Sequence, residues 1–543
     1  MSRAKKIVGR IARATGRSLD AVGHAIDRSL VPFFPGYAVS RMKSRAVCRQ
    51  LSTYAAAEKS RVTRDWKASP KTADEAILPD LVTITARARQ MVRDDAYAVS
   101  VVNSFGRNVV GKGITPAACV RTGSSGRPRT RFNDEATALF MRWANTPEAC
   151  DHEGTKTFWM MQRLAAEQLV EAGEILFVLN VRDNGRDLPD LRLQAVEPEQ
   201  FDTSKVTERS TGNAIVGGIE LDGDGRAVAY HFHPMTVAPG SGVTSIDTRS
   251  SVRIKRDDVI HLFIPRRAAQ KRGISALSPV LRRLRSLGEY DDTQLWVARM
   301  EACVGLLIKR QNAGVAGGAI GLRPSEGADG DGNREITFQP GMIAELNEGE
   351  DVTPFTPSRP GGQYEPFVKA QLRAVAAGSD LSYAQVARDF HDGNFSSQRQ
   401  AKLEDQRAWE PIQEFFISTL CRRTWERFIQ HAAIKGLFAS GPSSIADIPR
   451  FLACEWMPQG WDWIDPVKEV TAATKAIDYR LTTRQRILND QGRSYRETFR
   501  QIADEKNEAA ELGFALPEDA VAAPPDEEAG EPEDDEDKKP DPE

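Results

Sequence analysis

Between Pro79 and Asn108 the apolar residues Leu81, Ile84, Met91, Val92, Tyr97, Val101, Val102 and Phe105 recur every three or four positions. That is the stripe of an amphipathic helix, and the glycines and proline of GKGITP stop it. The same period predicts helices over Thr157 to Glu171, Ile274 to Cys303, Tyr364 to Phe390, Ser397 to about Lys435 and Val467 to Leu512. Pro411 inside the fifth is expected to kink it. Strand-like runs lie between them: EILFVLNV, LRLQAVEP, AIVGGIELDGDGRAVAYHFHP and DVIHLFIP. Asp-Gly-Asp-Gly within the third predicts a β-hairpin. REITFQPGMIAEL, with its Gln-Pro-Gly turn, predicts another. Long helices bracketing small β insertions define an α+β architecture without solenoid repeats.

The 543 residues suffice for several cores. No apolar run approaches the roughly 18 residues that span a bilayer, and Arg and Gly interrupt the first apolar stretches where a signal peptide would need continuity. Six cysteines (Cys48, Cys119, Cys150, Cys303, Cys421, Cys454) stand far apart with no C-x-x-C pair, which points to reduced thiols. The net charge of −3 conceals an uneven distribution, with eleven Lys or Arg in the first fifty residues against Asp20 and Asp27. This basic N-terminus reads either as an arm for nucleic acid or an acidic partner, or as a docked amphipathic leader. The stretch from Pro517 is acidic, Pro-rich and without aromatics, and is expected to be disordered.

Several segments imitate catalytic or metal sites. Gly106-Arg-Asn-Val-Val-Gly-Lys112 fits the start of a phosphate loop, but a helix precedes it and Gly113 stands where a magnesium-binding hydroxyl belongs. Asp329 to Asn333 begins like a calcium loop and then places Arg334 at the glycine position. Gly273-Ile-Ser-Ala-Leu277 lacks the second glycine of a nucleophile elbow, and Ser275 is placed to cap a helix. His231 and His233 share a strand face but have no third ligand at recognisable spacing. DFHDGNFSSQR, from Asp389 to Arg399, gathers serines, a histidine and carboxylates. Ser397 and Gln400 have capping-box spacing, and Asp392-Gly393-Asn394 are turn residues that tolerate positive φ. The stretch therefore reads as a helix–loop–helix corner and not as a nucleophile beside its base.

Five segments, in order, resemble the lambda-type family of phage portal proteins, from about Leu81 to Gly513. RARQMVRDDAYAVSVVNSFGRNVVGKGITP is similar to the family's N-terminal helix and its turn, and GIELDGDGRAVAYHFH to its wing hairpin. VIHLFIPRRAAQKRGISALSPVL resembles its H-x-F…GQ-RG-S-L-x-x-V-L element. NFSSQRQAKLEDQR resembles its NYSSxRxAxxE signature, with phenylalanine for tyrosine, and WIDPVKEVTAA its D-P-x-K-E-x-x-A element.

The resemblance implies a portal-protein fold of wing, stem, clip and crown. It also implies a ring, usually of twelve copies, at one capsid vertex of the virion, assembled in the host cytoplasm. Double-stranded DNA would be packaged and ejected through the axis. The terminase large subunit, a head-tail adaptor and capsid or scaffolding proteins would be partners; no membrane, cofactor, metal or catalytic residue is implied. A nucleotide-driven DNA-packaging protein or other DNA-binding protein, and a soluble hydrolase, are the alternatives. By chain order, residues 1–74 are a basic arm, 75–273 the wing, 274–303 the first stem helix and 304–363 the clip. Residues 364–396 are the second stem helix and tunnel loop, 397–436 a long wing helix, 437–515 the crown and 516–543 the tail. Asp389, Phe390, His391, Asp392, Gly393, Asn394 and Phe395 become the loop facing DNA, with Ser397 and Gln400 anchoring it. Arg282, Arg283, Arg285, Glu289, Asp291 and Asp292 on the first stem helix are candidate subunit contacts, or a solvated face.

Overall fold

The computed structural model describes residues 68–123, 126–237, 242–303, 307–308, 344–345, 364–391, 393–461, 463 and 465–513, with positions 36, 39, 40 and 43. Contacts divide the chain into Met1–Thr72 and Ala73–Glu543, and the second unit is described below. The calcium-loop imitation at Asp329, most of the second predicted hairpin, most of the basic arm and the acidic tail lie outside the described residues.

The unit opens with helices α1 (Ala73–Asp94) and α2 (Ala96–Phe105), followed by a π-helical turn over Gly106–Val110. One helix was expected here. Asp95 splits it, because its backbone is extended and its carboxylate accepts from the Ala98 amide at 2.7 Å. Next come β1 (Thr115–Ala118), α3 (Thr130–Ala144), the single turn α4 (Pro147–Cys150) and α5 (Phe158–Glu171). Thr157 caps α5 through the Met160 amide.

Nine strands follow: β2 (Glu174–Asn180), β3 (Arg192–Val196), β4 (Ala214–Val216), β5 (Ile219–Leu221), β6 (Ala227–Phe232), β7 (Met235–Val237), β8 (Thr244–Ile246), β9 (Val252–Lys255) and β10 (Val259–Phe263). Two larger antiparallel sheets arise, ordered β10-β2-β3 and β4-β5-β6-β9, and β7 and β8 form a separate antiparallel pair. The expected Asp-Gly-Asp-Gly hairpin joins β5 to β6, closed by the Asp222 amide on the Arg226 carbonyl at 2.9 Å.

Helix α6 (Leu281–Cys303) begins seven residues later than the period suggested, because Ile274 to Val280 are taken up in turns. The Ser275 hydroxyl accepts from the Leu277 amide at 3.2 Å and donates to the Val170 carbonyl at 3.1 Å. It stabilises that turn and does not cap the helix. The short parallel pair β11 (Leu307–Ile308) and β12 (Ala344–Glu345) precedes α7 (Tyr364–Gly378) and α8 (Tyr383–Ala387). The helix expected over 364–390 is therefore broken, where Asp380 takes φ 56° and Ser382 caps a new turn. Helices α9 (Phe395–Phe416) and α10 (Arg422–Ile434) run on through a π-helical turn at Ile417–Cys421. Strand β13 (Cys454–Met457) pairs back onto β1. Three short helices close the described chain: α11 (Pro466–Asp478), α12 (Arg484–Asp490) and α13 (Tyr495–Glu511). Positive φ at Arg480 and Gly492 separates them, where the period had suggested one stretch.

The main core joins α2, α3, α5 and the α9–α10 rod. Phe140 sits at its centre, with ring centroids 5.6 Å from Phe158, 5.3 Å from Trp425 and 4.9 Å from Phe428. A second core of Leu176, Val178, Phe201, Tyr230 and Phe232 lies between the two sheets.

Across these parts runs a buried ionic network. Glu174 accepts from Arg272 Nε at 2.8 Å, from the Gly273 amide at 2.8 Å and lies 2.9 Å from His261 Nε2. Arg272 also donates to the Gly217 carbonyl at 2.7 Å and lies over the Phe201 ring at 3.8 Å. Gly173 and Gly273 permit the approach: a Cβ on Gly273 would stand 2.2 Å from the Gly173 carbonyl oxygen. Burial alone would raise the Glu174 carboxyl, but Arg272 and His261 hold it down to about 2. Burial also lowers the His261 imidazole, keeping it neutral.

Arg272→Ala is expected to cost about 3–5 kcal/mol, by leaving a buried carboxylate without its cation; denaturant unfolding measures this. Replacing both partners, as Glu174→Gln with Arg272→Met, is expected to cost less than the single change. Both shifts run downward, so the unfolded chain binds more protons as pH falls. Stability should therefore decline as pH drops through 6.5, as unfolded His261 protonates, and further from 4.5 towards 2 as Glu174 does. Thermal unfolding across that range, with Glu174→Gln flattening its acid limb, tests the assignment.

Candidate functional site

The corner after α8 is built from both sides. Upstream, Ser382 donates its amide and hydroxyl to Asp405 of α9 at 2.7 and 2.6 Å. Burial pushes the Asp405 carboxyl up despite those two donors. The chain leaves α8 through Arg388, a non-glycine residue at φ 55°, a conformation that costs roughly 1 kcal/mol or more. Its guanidinium reaches the Ser104 hydroxyl at 2.7 Å and the Ser100 hydroxyl at 3.2 Å on α2. Asp389 then accepts from the His391 amide at 3.0 Å and the Tyr383 hydroxyl at 3.1 Å. These bonds, in that order, hold its carboxyl below the ordinary range.

Downstream, α9 is capped by Asn394 and not by Ser397. Asn394 Oδ1 accepts from the Ser397 amide at 2.7 Å, so Ser397 is already the third helical residue. The expected Ser397–Gln400 capping box is absent. Gln400 is exposed, and Gln398 reaches back instead, donating to the Phe390 and Gly393 carbonyls at 2.8 and 3.2 Å. Gly393 and Asn394, which tolerate positive φ, do not take it; among the described residues of the corner the left-handed one is Arg388. Glycine at 393 leaves room for Gln398, since a Cβ would stand 2.6 Å from its Nε2.

Phe390 is 56% exposed, and His391, Gly393 and Asn394 are exposed with it. Asp392 and the Phe395 side chain lie outside the described residues. Beneath the corner is a cavity of about 450 Å³ lined by Arg373, Tyr383, Asp389, Gln398, Lys402 and Asp405 among others. The Ser397 hydroxyl donates to the Asn394 carbonyl at 3.0 Å and that of Ser382 to Asp405. Neither is poised against His391.

On α6 four of the six expected contact charges have partners within the chain. Arg285 pairs with Glu289 at 2.9 Å one turn on, Arg283 with Gln371 of α7, and the Tyr364 hydroxyl donates to Asp291 at 2.8 Å. Burial and Asp291 push Tyr364 up to about 12. Arg282 and Asp292 are exposed. His231 and His233 part company. His231 Nε2 lies 3.3 Å from Glu220 and 3.8 Å from Glu208, while His233 Nδ1 is 2.7 Å from the Ser250 carbonyl. Glu208, Glu220 and His231 have metal-like spacing. Glu220, however, already accepts from Arg253 at 2.7 Å, Asn213 at 2.8 Å and Thr211 at 2.9 Å. Arg253 supplies the positive charge a metal would bring. At Gly106–Val110 the phosphate-loop imitation is a π-helical turn after a helix, and the Lys112 amide faces Gln459. Arg388 and the Glu174 network had no local signal; only the family-like Gln270 to Gly273 element marked the latter's position.

What emerges is an α+β subunit whose prominent corner is a capped, exposed loop. The sequence profile described as "Phage portal protein, lambda family" matches residues 59–413. The chain belongs to that family. It is 26% identical over 470 residues to the probable portal protein of Halomonas phage phiHAP-1, covering 86% of this chain and 88% of that one. It is 23% identical over 491 residues to portal protein B of Escherichia phage lambda, covering 85% and 90%. A chain in the neck of an empty gene transfer agent particle aligns at 10% identity and TM-score 0.40, covering 76% of this chain and 94% of that chain. Membership makes the chain a structural component of a phage particle at its head-tail connection.

Asn394→Ala is expected to cost about 1 kcal/mol of local stability at the start of α9. Faster amide exchange at Ser397 reports it, and Ser397→Ala should leave it nearly unchanged.

Proposed function

We propose that the chain assembles into a closed homo-oligomeric ring at the unique capsid vertex, through whose axis double-stranded DNA is packaged and ejected. The Asp389–Phe395 corner projects into the channel. Residues 75–273 form the wing, 274–303 and 364–390 the stem, 304–363 the clip, 397–436 the long wing helix and 437–515 the crown. Terminase, then a head-tail adaptor, engages the ring outside the head, with capsid or scaffolding proteins around it. The role is structural, with ATP hydrolysed by the terminase.

One observation carries the reading in this family member: the exposed corner is held firmly at its base yet presents no Lys or Arg from Asp389 to Gln398. A conduit must let DNA slide. Cationic clamps would release counterions and make contact strong and static, whereas Asp389, kept ionised by the His391 amide and Tyr383, keeps phosphates off the base of the loop.

Purified protein is expected to show rings with a central hole in negative stain. His391→Lys should leave ring mass unchanged and lower DNA packaged per head several-fold, with the defect easing at higher salt. If the substitution instead blocks ring assembly, the corner belongs to a subunit interface and the channel assignment is wrong.

A further inference from the structure

The three C-terminal helices have strong start signals and almost nothing to fold around. Asp465, Thr483 and Ser494 cap α11, α12 and α13, accepting from the Lys468, Arg486 and Glu497 amides at 3.3, 3.2 and 3.4 Å. Pro466 occupies the first turn of α11. Yet no residue of the three helices is buried. Val470, Ile477, Ile487, Leu488, Phe499 and Ile502 line an open groove of about 320 Å³. Tyr479 and Leu481, in the turn between α11 and α12, are 77% and 80% exposed. Helices of 13, 7 and 17 residues are marginal without an apolar face to bury. Their side-chain ties to the rest of the unit include Arg500 to Asp134 at 2.6 Å, Arg399 to Glu469 at 3.9 Å, Gln485 to Glu455 at 3.3 Å and Arg496 to the Ala118 carbonyl at 3.5 Å.

The charges say what covers the groove. Arg480, Arg484, Arg486 and Arg493 flank α12 on an exposed surface, and among the described residues none of them forms an ion pair. Helix α13 carries Asp504, Glu505, Glu508 and Glu511, all exposed, in its distal half. Among the described residues no ion pair joins the two sets within one chain: α12 shares the groove with Thr498, Phe499 and Ile502, and α13 continues roughly 14 Å beyond Ile502. One basic side and one acidic end, separated on the same module, are the two unlike surfaces of a head-to-tail contact.

We infer that a second copy of this chain completes the module. The acidic distal half of α13 from one subunit lies on the basic α12 side of the next and closes the apolar groove, so these helices reach full stability only in the assembly. This rests on the ring proposed above.

Hydrogen exchange of the full chain, before and after assembly, tests it. Exchange across residues 466–511 is expected to slow at least about tenfold on assembly. Arg484→Glu with Arg486→Glu should abolish the slowing, or the assembly itself, and adding Glu508→Lys with Glu511→Lys should restore it. Three results overturn the inference while leaving the ring intact. These are fast exchange throughout 466–511 in assembled rings, charge reversal without effect or without rescue, and slow exchange in the unassembled chain that is lost on deleting 514–543. The last would make the acidic tail the occupant. A chain that never assembles removes the ring reading and this inference together.

Discussion

A carboxylate buried at the first residue of β2 constrains everything around it. Glu174 has no access to water, and an ionised carboxyl there is tolerated only with a cation and donors around it. Arg272 brings the charge from 98 residues away, and in doing so fixes the segment that leads from β10 into α6. The same guanidinium holds the Gly217 carbonyl at the β4–β5 turn and covers Phe201, which sets the second sheet against the first. Gln270 shapes the approach, accepting from the Arg266 amide at 2.9 Å and donating to the Arg272 carbonyl at 2.8 Å. The family-like element from His261 to Leu281 is thus a structural lock, whose polar residues meet at one carboxylate.

From that lock the architecture extends along rods. Arg423 and Arg427 on α10 grip the start of β10, donating to the Val259 carbonyl at 2.8 Å and to Asp258 at 2.6 Å. The α9–α10 rod is therefore attached to the sheet that carries Glu174. At its other end the rod supports the exposed corner through Asn394, Gln398 and Asp405. Arg388 ties the corner's upstream side to α2. The exposed loop is thereby anchored in packed helices on both sides and not in its own backbone alone.

The corner also shows how one polar vocabulary serves either chemistry or geometry. Serine, histidine and aspartate lie close in sequence, but Asp389, Asn394 and Ser397 direct their polar groups at nearby backbone. A nucleophile needs a base aimed at it, and here the Ser397 hydroxyl is aimed at a carbonyl, while Asp405 takes both the amide and the hydroxyl of Ser382 at the start of α8. The cluster at Glu220 repeats the lesson, since Arg253, Asn213 and Thr211 fill the places around a carboxylate that a cation would otherwise take.

Sequence alone determined what depends on near neighbours. Helix stripes, strand alternation, the Asp222–Arg226 turn and the α+β arrangement follow from local periodicity and turn chemistry, and the ordered family-like segments carried the membership. Where several residues of one small region compete for a role, local rules could not choose. Asn394 and Ser397 are both good caps, and only the path of the chain out of Arg388 places the helix start at Phe395. Breaks at Asp95, Asp380 and Arg480 were hidden because apolar period continues across them while the backbone does not. The Glu174–Arg272 pair was beyond reach for a simpler reason: charges 98 positions apart have no shared period or spacing, and burial, which makes their pairing compulsory, exists only once the sheets have packed.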